Sequence, residues 1–223
     1  MRGASYWVVG LLTLSVGCGS GGKKVNYAKM DVSKRIALVG VCQLTDVVVA
    51  RGMNTGNADI GDGLINAIAD GLDAALPAAW QGVQLTPFAA VSANGALPKK
   101  DEFHRRRCAR DRDPFLAKGY TGDPDKAYMG QVAKALGVDA VMAVTANLGV
   151  RYGGSTARVY NGGLNPLYVY IVDKDGEQIA QLSIKGLDSA DVPMGPDGVM
   201  MPALGMSYGK VVATEFVTRM GDR

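Results

Sequence analysis

Three cysteines, at positions 18, 42 and 108, carry the most distinctive chemistry in this sequence. Cys18 directly follows an apolar N-terminal segment, and Cys42 ends an apolar run that begins at Ile36. If Cys18 is modified, Cys42 and Cys108 remain as an even pair, and such pairs often form disulfides in oxidising compartments. We therefore predict a disulfide between Cys42 and Cys108, which requires their Cα atoms to lie within about 7 Å. Two free thiols are the alternative.

The segment before Cys18 has the organisation of an export signal. Arg2 supplies a positive charge, residues 6–14 are largely apolar, and residues 15–17 are short side chains. This apolar run is shorter than the roughly 20 residues that span a bilayer, so the pattern predicts a cleaved signal at residues 1–17. With Cys18 next, the segment resembles a bacterial lipoprotein signal, although Ser15 occupies the position where that family usually has Leu. The resemblance implies a lipid on Cys18; an uncleaved anchor and cleavage without lipid are the alternatives.

Residues 18–33 are predicted to form the lipidated cysteine and a flexible tether. Gly19-Ser20-Gly21-Gly22 is a composition that behaves as flexible coil. Because Gly19, and not Asp, follows the cysteine, the lipoprotein resemblance implies retention at the periplasmic face of the outer membrane.

A basic segment without apolar periodicity lies at about residues 93–122. Arginine suits bidentate contacts with phosphate or carboxylate groups, so an anion-binding or partner-binding surface is one interpretation. Acidic residues are interleaved with the arginines, which favours the other interpretation, a solvated loop with local ion pairs. The candidate residues are Arg105, Arg106, Arg107, Arg110 and Arg112.

The sequence contains no recognisable catalytic set. His104 is the single histidine, which excludes a metal site built from several histidines. A hydrolase would need a cleft around His104 or a carboxylate pair such as Asp188 and Asp191, and no motif places a nucleophile beside them. We therefore predict no enzyme activity, no metal and no cofactor.

Composition limits the class of protein. With 223 residues, 48% hydrophobic and 20% charged, the chain is expected to form one globular domain, at residues 34–223. The formal net charge of +3 gives no argument for a nucleic-acid partner.

Hydrophobic periodicity predicts an α/β domain with a single mixed sheet and packed helices. The first predicted elements are a strand at 36–42 with an extension through 47–49, a helix capped by Asp59 and ended by Pro77, and a short strand at 84–86. A second helix has Asp123 as its cap, Pro124 in its first position and Gly137 at its end, and it leads into a strand at 138–150 in the middle of the sheet. A hairpin of 167–172 and 178–184 around a turn at 173–176, a loop at 186–202 and a helix at 204–220 complete the domain.

The element order and one stretch of sequence resemble a group of envelope proteins. Residues 133–141 (Ala-Lys-Ala-Leu-Gly-Val-Asp-Ala-Val) run from a helix through Leu-Gly into an Asp-Ala-Val strand. This pattern is similar to the domain shared by the curli-secretion-channel lipoprotein CsgG, the penicillin-binding-protein activator LpoB and the amino-terminal domain of TolB. The resemblance implies the same fold, but it carries over no residue with a defined chemical role.

These observations predict a lipid-anchored envelope protein that binds another envelope protein as an assembly or regulatory factor. Its contacts would be the membrane, through the lipid on Cys18, and a protein partner. An oligomeric secretion-channel component is the second hypothesis, and a cell-envelope hydrolase is the third. The state of assembly is left open by the sequence.

Overall fold

The computed structural model describes residues 22–43, 48–49, 59–95, 125–152, 159–184, 187–188, 192–193 and 201–222. Helices and strands follow one another largely in the predicted order. The helices are α1 (Tyr27–Val32), α2 (Asp59–Ala79), α3 (Phe88–Ala93), α4 (Lys126–Leu136) and α5 (Met201–Gly221). The strands are β1 (Lys23–Val25), β2 (Arg35–Gln43), β3 (Val48–Val49), β4 (Gln84–Thr86), β5 (Ala140–Tyr152), β6 (Val159–Asp173), β7 (Gln178–Ile184), β8 (Leu187–Asp188) and β9 (Val192–Pro193).

The strands form one mixed sheet in the order β1-β7-β6-β5-β2-β4, which confirms the predicted fold class. Strand β5 pairs in parallel with β2 and antiparallel with β6, so the predicted central position of this strand is also confirmed. Its apolar residues face both sides of the sheet, as expected for a strand that is covered on both faces. The short strands β3, β8 and β9 pair with the distal parts of β5 and β6.

Helices cover both faces of the sheet and bury two separate clusters of apolar side chains. On one face, α2 and α5 pack over Leu38, Met142 and Ile171. On the other face, α4 packs over Val39, Val141 and neighbouring residues. Helix α3 contributes Phe88 to the first cluster and Val91 to the second, so it closes the core beside β2 and β4.

Helices α2 and α5 approach each other through small residues. A Cβ atom added to Gly205 would lie 2.1 Å from the Cβ of Ala67, and one added to Gly209 would lie 2.4 Å from the carbonyl carbon of Gly71. The backbones can pack at this distance only because Gly205 and Gly209 carry no Cβ atom. This close pair forms the layer over the first face.

Two predicted helix ends differ from the observed ones. Helix α2 continues through Pro77 to Ala79, because the Trp80 amide still donates to the Leu76 carbonyl and completes the last turn. Helix α4 begins at Lys126, and its N-cap is Asp125, whose carboxylate accepts from the Tyr128 amide. The observed cap thus lies two residues after Asp123, the predicted cap. Asp123 and Pro124 lie outside the described residues.

The end of α4 and the hairpin turn follow the predictions. Gly137 has a φ of 66° and its amide donates to the Ala133 and Lys134 carbonyls, as the left-handed C-cap requires. Gly176 has a φ of 80° and closes the turn between β6 and β7, where its amide donates to the Asp173 carbonyl. Glycine accepts both conformations without the steric penalty of a Cβ atom.

The sequence-based prediction omitted several elements. Strand β1 and helix α1 lie within residues 18–33, where a flexible tether is predicted. They were not predicted because elements of three and six residues are too short to show a periodic pattern. Strand β6 begins at Val159 and not at residue 167, and β8 and β9 lie within the predicted 186–202 loop. Glycines 162 and 163 conceal the start of β6, since glycine is depleted in strands. Among the described residues, no helix is long and apolar enough to cross a membrane.

Candidate functional site

Most residues singled out from the sequence lie outside the described part of the chain. These are Cys18, Cys108, His104, Asp191 and the arginines at positions 105, 106, 107, 110 and 112. Cys42 lies in β2, where its backbone is in register with Thr145 of β5. Asp188 lies in β8 opposite Gly163. The Cys42–Cys108 disulfide and the basic surface therefore stay predictions.

Charged side chains hold α1 against the β6–β7 turn. Lys29 Nζ lies 2.8 Å from Asp173 Oδ2 and 2.6 Å from Glu177 Oε2. The other oxygen of Asp173, Oδ1, accepts from the amides of Asp175 and Glu177 at 3.0 and 2.8 Å. Burial favours the neutral acid, but the bond from Lys29 and the backbone amides outweigh it and lower the pKa of Asp173. The two acidic side chains raise the pKa of Lys29. Each oxygen of Asp173 has a hydrogen-bond partner, which fits the predicted turn.

A second charged pair joins the starts of β2 and β5. Asp139 accepts from Arg35 Nη2 at 2.8 Å and from the amides of Lys34 and Arg35 at 3.0 and 2.9 Å. The bond from Arg35 is the main cause that lowers the pKa of Asp139, against the opposing effect of burial. Asp139 belongs to the Asp-Ala-Val strand start noted in the sequence, and its role there is to set the register of two parallel strands.

Tyrosines occupy the α4-side face of β6. The rings of Tyr168 and Tyr170 are stacked, with centroids 6.2 Å apart and an interplanar angle of 16°. Tyr170 is buried and Tyr168 is half-buried. Thr145 of β5 is in register with Tyr168 and is fully buried. Its Oγ1 has no hydrogen-bond partner within the described portion of the chain. The tyrosine pair is therefore mainly part of the packed interior.

A cleft of about 300 Å³ opens between α1, the turn after α2 and the C-terminal end of α5. Trp80 lies at the end of α2 and packs edge-on against Phe216 of α5, with ring centroids 4.8 Å apart. Gly82, with a φ of 83°, turns the chain into β4. Apolar and aromatic side chains line much of the cleft, and Asp31, Lys34 and Gln81 contribute polar groups; the apolar and aromatic members are Tyr27, Met30, Trp80, Val83, Val217 and Met220.

Two further features lie on or next to α1. Val32, at the end of α1, is 73% exposed and is the exposed large hydrophobic residue of the described chain. The Lys23 ammonium lies 5.3 Å from the centre of the Tyr27 ring and donates to the Asp222 carbonyl, as does the Tyr27 hydroxyl. We name this cleft, together with Lys23, the α1–α5 cleft. Sequence analysis missed it, since its residues come from three distant segments, and only the isolated Trp80 signals it.

The described residues contain no group of three or more His, Cys, Asp or Glu side chains placed to hold a metal ion. The two acids with lowered pKa values, Asp139 and Asp173, are ionised and hydrogen-bonded in structural roles. Among the described residues, the α1–α5 cleft and the outer edges of β1 and β4 are candidates for contacts with other molecules.

No known protein family and no curated protein sequence matches the chain. Among solved structures, the chain is similar to the lipoprotein GNA1162 from Neisseria meningitidis, with 15% identity, a TM-score of 0.31, and coverage of 85% of this chain and 97% of that chain. It is also similar to two structures of PelC dodecamers from Paraburkholderia phytofirmans. Their sequence identities to this chain are 8% and 9%, and their TM-scores are 0.24 and 0.23. Each match covers 88% of this chain, and the two matches cover 98% and 92% of the respective PelC chains.

Proposed function

We propose that the protein is an exported lipoprotein, anchored through an acylated Cys18 at the periplasmic face of the outer membrane, whose α/β domain binds another envelope protein. The observation that carries this proposal is the position of β1. The first strand of the described residues begins at Lys23, five residues after Cys18, and the residues between are Gly and Ser. A cleaved and lipidated Cys18 would thus leave the whole domain intact outside the membrane.

The engagement of the charged groups supports a binding role over catalysis. Asp139 and Asp173 each accept three hydrogen bonds that fix backbone or helix positions. Their lowered pKa values leave neither as a proton donor near neutral pH. In the proposal, the basic 93–122 segment and the sheet edges contact the protein partner, because arginine pairs well with acidic groups and an open edge accepts a strand.

Acyl labelling tests the anchor. The full-length protein is expressed in a bacterium that is fed an alkyne fatty acid, and it is compared with Cys18→Ser and with the matched control Cys42→Ser. We expect the label and outer-membrane fractionation for the native protein and for Cys42→Ser, and neither for Cys18→Ser. Label that persists in Cys18→Ser, or its absence from the native protein, would overturn the proposed anchor.

Partner capture tests the binding role. The native protein is cross-linked in intact cells and compared with a variant in which Arg105, Arg106 and Arg107 are changed to Glu. A specific envelope protein that is captured by the native chain and lost from the variant supports the proposal. If light scattering of the detergent-extracted native protein instead gives a closed ring of many copies and no second protein is captured, the secretion-channel hypothesis replaces it.

A further inference from the structure

We infer that residues 23–33, which form β1, α1 and the turn into β2, are a strap that detaches from the domain as one unit while the rest of the sheet and its helices stay folded. We name this segment the N-terminal strap. Its release lengthens the link between Cys18 and the domain, and this consequence rests on the proposed acylation of Cys18. The domain thus has a short and a long attachment to the membrane.

The N-terminal strap adds little to the buried core. Met30 and Ser33 are its buried residues, and the others are half-buried or exposed. Among the described residues, Met30 is its one buried member of the first apolar cluster, against which Val25 packs in part, and the second cluster has no strap residue. Segments with few buried apolar side chains open locally at a lower free energy than the whole domain unfolds. The burial pattern therefore favours a separate opening of the strap.

The contacts that hold the strap closed lie mainly at the surface. Strand β1 is three residues long and pairs with β7 at the edge of the sheet. Lys29 Nζ lies 2.8 Å from Asp173 Oδ2 and 2.6 Å from Glu177 Oε2, and the lysine side chain is 37% exposed. The Lys23 ammonium donates to the Asp222 carbonyl, just after α5. Exposed ion pairs each contribute little to stability, so these contacts close the strap without making its closure permanent.

The sheet sets the limit of the opening. The Asp139 carboxylate accepts from the amides of Lys34 and Arg35, and the Lys34 carbonyl accepts from the Gln84 amide. The chain from Lys34 onward is thus held by β4 and by the start of β5. At the other end, β7 keeps its pairing with β6 when β1 leaves, because β1 is the last strand at that edge. The hinge is consequently the link between Ser33 and Lys34.

Release changes the reach of the domain about threefold. While the strap is closed, five peptide units join Cys18 to Lys23, and at about 3.6 Å per residue they span at most about 18 Å. With the strap open, sixteen units join Cys18 to Lys34 and span up to about 58 Å. An acylated protein can therefore present its domain either next to the lipid or several nanometres away from it.

Hydrogen exchange of the mature lipidated protein in detergent micelles, read residue by residue by NMR, tests the release. The Met30 and Ser33 amides donate within the strap, and the Ser183 amide of β7 donates to the Gly22 carbonyl beside β1. We expect these three amides to share one protection factor, about tenfold or more below that of the β5 and β6 amides. Low concentrations of urea should lower the protection of β5 and β6 and leave that of the strap nearly unchanged, because the local opening exposes little surface. One protection factor and one urea dependence for the strap and these strands would overturn the inference.

Two lysine variants test what closes the strap. Lys29→Met removes both ion pairs to the β6–β7 turn, and it should lower the protection of the strap about threefold to tenfold. Lys24→Met is the matched control, since Lys24 is an exposed lysine of β1 in the same strap, and it should change this protection by less than about twofold. Equal effects of the two variants would show that the Lys29 contacts do not close the strap.

Mass spectrometry of the N-terminal peptide separates failure of the strap from failure of the anchor. Exchange of the strap does not require the lipid, so it decides the release whether or not Cys18 is acylated. If Cys18 carries no acyl group, the two lengths of attachment fail together with the proposed anchor. If Cys18 is acylated and the strap exchanges with β5 and β6, the anchor stands and the strap is wrong. Acylation together with separate exchange supports both.

Discussion

Gly209 of α5 lies against Gly71 of α2 so closely that a Cβ atom on Gly209 would come within 2.5 Å of the Gly71 Cα atom. Contact at this distance involves backbone on both sides, so no side chain can move aside to relieve it. The layer that covers one face of the sheet thus depends on the absence of a single methyl group.

We expect Gly209→Ala to lower the free energy of unfolding by about 1–3 kcal/mol or more, because overpacking forces the two helices apart. Gly221→Ala, at the end of the same helix where an added Cβ meets no atom within 4 Å, is the matched control. Urea unfolding followed by circular dichroism compares them. Equal midpoints for the two variants would contradict the close packing of α2 and α5.

The stabilisation by Asp173 should depend on pH. We expect Asp173→Asn to cost about 1.5–3 kcal/mol at pH 7, the range for hydrogen bonds to charged groups. Because the pKa of Asp173 is lowered in the folded protein, its contribution is complete above the unfolded value of about 3.9 and is lost as the pH falls through the folded pKa.

Urea midpoints at neutral and at strongly acidic pH measure this dependence. The native protein and Asp173→Asn should differ at neutral pH and converge in acid. Asp175→Asn is the control, since its carboxylate is 68% exposed and 4.0 Å from Lys134, so the change should stay within about 0.5 kcal/mol. A constant gap between native and Asp173→Asn at both pH values would contradict the ionised state.

Removal of the buried hydroxyl of Thr145 should stabilise the protein. Its Oγ1 has no hydrogen-bond partner among the described residues, so Thr145→Val keeps the shape and removes a desolvated polar group. We expect a gain of about 1 kcal/mol or more in the free energy of unfolding. Thr145→Ser, which keeps the hydroxyl and loses a methyl group, should be less stable than the native protein. A less stable Thr145→Val would indicate that the hydroxyl has a partner after all.

The predicted Cys42–Cys108 disulfide is testable on protein recovered from the periplasm. Alkylation before and after reduction, followed by peptide mass analysis, should find both cysteines blocked only after reduction. A bond that closes so long a loop should add about 4 kcal/mol to the free energy of unfolding, and Cys108→Ser should lose this amount. Alkylation of both thiols without reduction would leave the two free cysteines as the correct alternative.

Elements that depend on their local sequence were predictable, and elements that depend on distant contacts were not. The α4 helix end at Gly137 and the turn at Gly176 were predictable, because a left-handed residue at these positions requires glycine. The centre of the sheet was predictable from the apolar residues on both faces of β5. Strand β1 and helix α1 were not, because their structure depends on contacts with β7 and with the Asp173 turn, more than 140 residues away.

The candidate site was less predictable for a related reason. Trp80, Tyr27 and Val217 line one cleft, but they belong to separate segments that only the fold brings together. Nothing in the spacing of Lys29 or Asp139 distinguishes them from ordinary surface charges, although each proves to fix the position of an element. Cys18 and the arginines at 105–112, which the sequence marks most strongly, lie outside the described residues.

The pairing of α5 with α2 also constrains when the domain can fold. The side chains of α5 that are fully buried against the sheet and α2 include Leu204, Tyr208, Val212 and Phe216. A growing chain that ends before α5 would therefore leave the apolar side chains on one face of the sheet exposed to water. Strand β1 can pair with its neighbour only after β7 has been synthesised. Completion of the layer over this face of the sheet must therefore await the synthesis of α5, which follows every strand of the sheet in the chain.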